Sequence, residues 1–122
     1  MADLMSPDRE FGVDLGTGVT VGPGTLIYVD SNAKGQISGL AGPVHAYSLT
    51  SGAGTKTAGI ATRVLGKRNG ILKVPNASYT KGITLYANAN GVIAGSGAGL
   101  AIKVGFALDS EVAFIDLDLE SI

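Results

Sequence analysis

The 122-residue chain has no cysteine and no tryptophan, one histidine and only 6% aromatic residues. Without cysteine there are no disulfide staples, no thiolate chemistry and no cysteine-ligated metal. The lone histidine, His45, stands among Val44, Ala46 and Tyr47, which offer neither a second metal ligand nor an acid–base partner. Charge of one sign is also missing. Nine Lys and Arg stand against ten Asp and Glu, for a net charge of −1, whereas proteins that hold nucleic acid carry a basic surplus. No apolar run reaches the roughly 20 residues of a membrane helix. Met1 to Phe11, with Asp3, Asp8, Arg9 and Glu10, has neither the basic nor the apolar region of a signal peptide. The expectation is a soluble chain made in the cytoplasm, with no cofactor, no nucleic-acid partner and no membrane partner.

What is abundant is glycine, 19 residues scattered without a Gly-X-Y period, in a chain 45% hydrophobic and built on Val, Ile, Leu and Ala. Glycine between short β-branched runs is the pattern of short strands and tight turns. Strands are expected at Thr25–Asp30, Pro43–Leu49, Ala58–Leu65, Ile71–Val74, Ile83–Ala87, Leu100–Leu108 and Val112–Leu119. Asn69-Gly70 and Asn90-Gly91 carry hairpin turn chemistry, because both residue types accept positive φ. In the last strand Ala113, Ile115, Leu117 and Leu119 alternate with Phe114, Asp116, Asp118 and Glu120, the period of two of a half-buried strand. The acidic side reads as a solvated face guarding a sheet edge. The fold class is therefore all-β: one compact barrel or sandwich over residues 25–122. Residues 1–24, broken by five glycines, read as an extended N-terminal arm.

Two stretches echo each other. Gly24-Thr25-Leu26-Ile27-Tyr28 with Asn32-Ala33-Lys34-Gly35 matches Gly82-Ile83-Thr84-Leu85-Tyr86 with Asn88-Ala89-Asn90-Gly91. Further on, Gly59-Ile60-Ala61 matches Gly105-Phe106-Ala107. A period of roughly fifty residues suggests a duplicated β unit whose halves pack together; shared turn chemistry is the alternative.

Motifs with chemical associations are weak. Asp14-Leu15-Gly16-Thr17-Gly18 has the form of a phosphate-binding turn, but nothing else of such a fold accompanies it. Gly95-Ser96-Gly97-Ala98-Gly99 precedes strand residues rather than a helix, so it reads as a connection. Asn76-Ala77-Ser78 is a chance glycosylation triplet. Lys56, Arg63, Lys67, Arg68 and Lys73 make the middle of the chain basic and the C-terminus is acidic, an asymmetry that complements a second copy or an acidic partner. Lys67 and Arg68 themselves read as solvated turn residues.

The motifs Gly59-Ile60-Ala61, Gly82-Ile83-Thr84-Leu85-Tyr86, Asn90-Gly91, Gly105-Phe106-Ala107-Leu108 and Val112–Leu119 together resemble the small capsid decoration, or cement, proteins of phages. The resemblance covers residues 58–119. It implies a non-enzymatic virion protein that binds the major capsid protein on the outside of an icosahedral head, stabilises the head and forms a homotrimer. Contacts to the shell or to neighbouring copies are expected from the arm residues Val13, Leu15, Val19 and Val21 and from the flexible-loop residues Ser51, Thr55, Lys56 and Ser96. The alternative is a virion-associated binding module, a head-fibre base or a carbohydrate-binding domain. That reading requires Tyr28, Tyr47, Tyr79 and Tyr86 to form an exposed aromatic platform.

Overall fold

The computed structural model describes residues 10–118, and these are almost entirely β-structure. Five strands close a barrel in the order β1 (Phe11–Leu15), β4 (Lys34–Ile37), β3 (Leu26–Val29), β5 (Ala46–Ser48) and β7 (Arg63–Lys67). Five more form a curled, open sheet in the order β10 (Ile93–Ala94), β9 (Thr84–Ala87), β11 (Lys103–Asp109), β12 (Val112–Asp116) and β8 (Asn69–Lys73). The short strands β2 (Thr20–Val21) and β6 (Gly52–Ala53) pair beside the barrel.

The two sheets are the same unit twice. In each, an antiparallel hairpin (β3–β4, β9–β10) is flanked by a strand (β5, β11), then by its partner (β7, β12), then by the strand that opens the unit (β1, β8). The turns recur as well. Thr25 N donates to Gly22 O and Ile83 N to Thr80 O, with Gly24 and Gly82 at φ +87° and +84°. Asp30 N donates to Lys34 O and Asn88 N to Val92 O. Each turn lies about 58 residues from its counterpart, which sets the repeat.

The structural register corrects the one expected from sequence. Gly59-Ile60-Ala61 lies outside any strand, with only an isolated bridge from Thr57 to Ile60, and is no counterpart of Gly105-Phe106-Ala107. The counterpart of β11 is β5. Between β5 and β7 runs a loop of residues 49–62 that includes β6, where β11 and β12 are joined by Ser110 and Glu111 alone.

The barrel encloses Val13, Leu15, Val21, Ile27, Ala46 and Val64. A second core, Leu26, Tyr47, Leu85, Ala87, Ile93, Val104, Ala107, Ala113, Ile115 and Leu117, lies between barrel and open sheet. Alternation along a strand explains the sharing. Ile27 and Ala46 point into the barrel, and their neighbours Leu26 and Tyr47 point out of it into the other half. Strands β3 and β5 are thus buried on both faces, which makes one body of the two units.

Residues 11–24 are therefore not an arm. Strand β1 closes the barrel, antiparallel to β7 and parallel to β4. Glycines let this seam close: a side chain on Gly35 would meet Val13 at 2.8 Å. The rest of the expected arm, residues 1–9, lies outside the described residues, as do Leu119 and Glu120. The Asn69-Gly70 hairpin is also corrected. Neither residue has positive φ; both belong to β8, while β7 stays in the barrel. Asn90 and Gly91, at φ +63° and +72°, do form the β9–β10 turn.

Arg68, the one residue between β7 and β8, is a tie rather than a solvated turn residue. Its guanidinium donates to His45 O (2.7 Å), to Leu117 O (3.3 Å) and to the Asp118 carboxylate (2.9 Å). It thereby joins the chain before β5 to the end of β12. Arg68→Ala is expected to lower stability by about 2 kcal/mol, since hydrogen bonds from a charged donor are among the stronger ones. Arg68→Lys should recover little, because an ammonium cannot reproduce the planar fork. Thermal melting of the three proteins checks this.

Two carboxylates are held below the ordinary aspartate value of 3.8. Asp30 accepts from Lys34 N, Gln36 Nε2 and Asn32 N, and Asp118 accepts from the Arg68 guanidinium. With folded-state values below unfolded ones, their stabilisation is complete above the unfolded value and is lost as pH falls through the lower folded values. The melting temperature is expected to be insensitive to these groups between about pH 5 and 8 and to fall below about pH 4. Asp30→Asn should flatten that acid limb.

Candidate functional site

The outer face of the open sheet carries a row of apolar side chains. Ile71 on β8 faces Phe114 on β12, which faces Phe106 on β11. Strand pairing places them side by side, because directly opposed residues share a face. The two phenylalanine rings stack at 5.2 Å. Ile71 is 65% exposed and Phe106 40%. Single exposed apolar residues are ordinary; a contiguous row is a candidate contact surface. Lys73 pairs with Val112 and Asn69 with Asp116, so a cation and an anion flank the row on either side at its β8 end.

Alternation in the last strand is legible from sequence, and Ala113, Ile115 and Leu117 are indeed buried. The row itself is a product of registers between three strands, which no local pattern contains. The one sequence signal was Phe114 standing on the side of β12 otherwise taken by acids.

The open sheet has a seam that the barrel lacks. In the barrel Gly35 O accepts from Gly16 N. At the equivalent position Ile93 O accepts instead from the Tyr79 hydroxyl at 2.7 Å. Burial pushes the Tyr79 phenol up, which keeps it protonated as the donor. Beside it lies an open groove of about 530 Å³ lined by the 74–80 loop and by residues 92–96. Asn76 and Ser78 in its wall have φ of +65° and +57°, and Glu111 caps Asn76 N at 2.7 Å. The groove has hydroxyls and amides but no convergent acid–base pair.

The residues expected to make contacts divide. Val13, Leu15 and Val21 are 4–5% exposed and pack inside the barrel, which corrects their expected place on a contact surface. Val19 is half-buried against the same core. Ser51, Thr55, Lys56 and Ser96 are exposed. They lie in two separate loops, and Thr55 Oγ1 accepts from Gly18 N at 3.1 Å. This contact and positive φ at Gly18 explain the Asp14–Gly18 motif as a strand end and turn. It leads into β2, and its Gly18 amide is already taken by Thr55.

His45 has a structural role. Its Nδ1 accepts from Val29 N at 2.8 Å, and its ring meets Tyr28 edge-on. Tyr47 is buried, and Tyr28, Tyr79 and Tyr86 are half-buried, so the tyrosines form no exposed platform. Among the described residues no three His, Asp or Glu side chains gather as metal ligands, and no helix is long and apolar enough to cross a membrane. No protein-family model, curated protein or solved structure matches the chain.

Proposed function

We propose that the protein is a structural component of a phage particle, a decoration protein that binds the outer surface of the capsid and stabilises the head. The observation that carries this reading is the Ile71–Phe114–Phe106 row, an adhesive surface on a body whose charged and polar groups serve mainly in turns and ties. The motif resemblance over residues 58–119 supports it independently. A shell-binding protein needs a rigid surface repeated many times, and modest contacts repeated on a lattice give high avidity. The duplicated β body supplies the rigidity, and the loops at Thr55-Lys56 and Ser96 add polar contacts around it.

The test is co-sedimentation with undecorated heads, with a fixed number of copies bound per capsid subunit expected at saturation. Phe106→Lys should abolish binding while leaving the melting temperature within a few degrees, since the ring is exposed. A folded protein that ignores such heads, or a Phe106→Lys variant that binds as the parent does, would remove the basis for the reading. Binding to arrayed glycans instead would favour a carbohydrate-binding module.

A further inference from the structure

We infer that the free edge of β8 is a self-association site, at which two copies pair antiparallel about a two-fold axis through Ile71. This goes beyond the proposed function and does not depend on it.

The barrel has no free edge, because β1 pairs on both sides. In the open sheet, among the described residues, β8 pairs only with β12. Which backbone groups this leaves outward follows from the pairing. Val74 N donates to Glu111 O and Leu117 N to Arg68 O, so in this antiparallel ladder Arg68, Gly70, Leu72 and Val74 direct their N–H and C=O groups toward β12. Asn69, Ile71 and Lys73, between them, direct theirs away. Three outward residues at alternate positions are what a new antiparallel strand requires, and the set is symmetric about Ile71. A second β8 therefore fits in register: Ile71 opposite Ile71, and Asn69 of each copy opposite Lys73 of the other.

Two further observations select a second copy as the occupant. The apolar row ends at this edge on its most exposed member, Ile71. Pairing two edges continues the row without interruption into Phe114 and Phe106 of the other copy. Charge is complementary as well. Lys73 of one copy comes beside Asn69 of the other, whose neighbour across the ladder is Asp116. Two strand spacings of about 4.8 Å each separate them, a gap that a lysine and an aspartate side chain span together. The strand carries no proline and only one lysine, so the usual guards of a sheet edge are sparse here.

The homotrimer implied by resemblance and this two-fold pairing give different masses, so light scattering over a dilution series without capsids separates them. A dimer in equilibrium with monomer is expected. Ile71→Lys, which opposes two ammonium groups at the axis, should weaken self-association by about tenfold or more with an unchanged circular dichroism spectrum. Because the chain has no cysteine, Ile71→Cys is a clean second probe. Facing Cα atoms in such a pair are about 5.5 Å apart, within disulfide range. Mild oxidation should link Ile71→Cys much faster than the loop control Thr57→Cys. A monomer at every concentration, a trimer indifferent to Ile71→Lys, or equal cross-linking of the two cysteine variants would overturn the inference.

Discussion

Gly105→Ala is expected to be among the most damaging single-methyl changes in this protein, lowering stability by about 3 kcal/mol or more. Gly105 lies on β11 opposite Ile115 of β12, and a Cβ built there lands on the Phe114 carbonyl. The obstacle is backbone in a paired strand, so no rotamer change relieves it. The ladder must open, next to register shifts on both sides of the residue. The stacked Phe106–Phe114 pair would lose its geometry with it. Gly59→Ala is the instructive comparison. Gly59 has φ of +79° but nothing within 4 Å of the added methyl, so only the left-handed backbone penalty of about 1–2 kcal/mol applies. Urea unfolding should show a large fall in midpoint for Gly105→Ala and a small one for Gly59→Ala.

Tyr47→Ala should cost about 4 kcal/mol, in the range for deleting a buried aromatic ring. That is a large share of the 5–15 kcal/mol typical of a whole domain. Tyr47 is 2% exposed and belongs to a barrel strand, yet its ring lies in the core shared with the open sheet. Its hydroxyl reaches the backbone of β8, so that a side chain on Gly70 would collide with it. Burial, and secondarily the charge of Glu10, push its phenol up. Losing the ring should loosen both units together. Amide exchange is expected to rise in β11 and β12 as well as in β5, whereas Val64→Ala, inside the barrel alone, should act mainly on barrel amides. Tyr47→Phe keeps the packing and should cost less than about 1.5 kcal/mol.

Much of the fold was legible because it rests on local chemistry. Glycine punctuation marked the strands, Asn90-Gly91 marked a true hairpin, and the period of two in β12 identified its buried side. The duplication was visible in its first hairpin, where Gly24 and Gly82 make the same positive-φ turn. It was lost further on because Gly59 and Gly105 look alike in sequence and act differently, one as a free turn residue and one as a close approach between strands. Asn69-Gly70 misled for a related reason: turn-forming residues also occur where a strand must pass close to a neighbour, and only Tyr47 reveals that need. The first strand was hidden by its glycines, which read as interruptions until Gly35 and Gly16 are seen to bring β1 and β4 together. The apolar row and the free edge of β8 depend on which strands become neighbours, and composition does not encode that order.

The unequal connections in the two units have a practical consequence. The same strand order tolerates both lengths: what takes residues 49–62 in one half takes Ser110 and Glu111 in the other. The tip of the longer connection, exposed from Thr55 to Thr62, is therefore a place where foreign sequence can be carried without disturbing the barrel. An epitope or affinity tag spliced between Thr57 and Gly59 would ride outside the body.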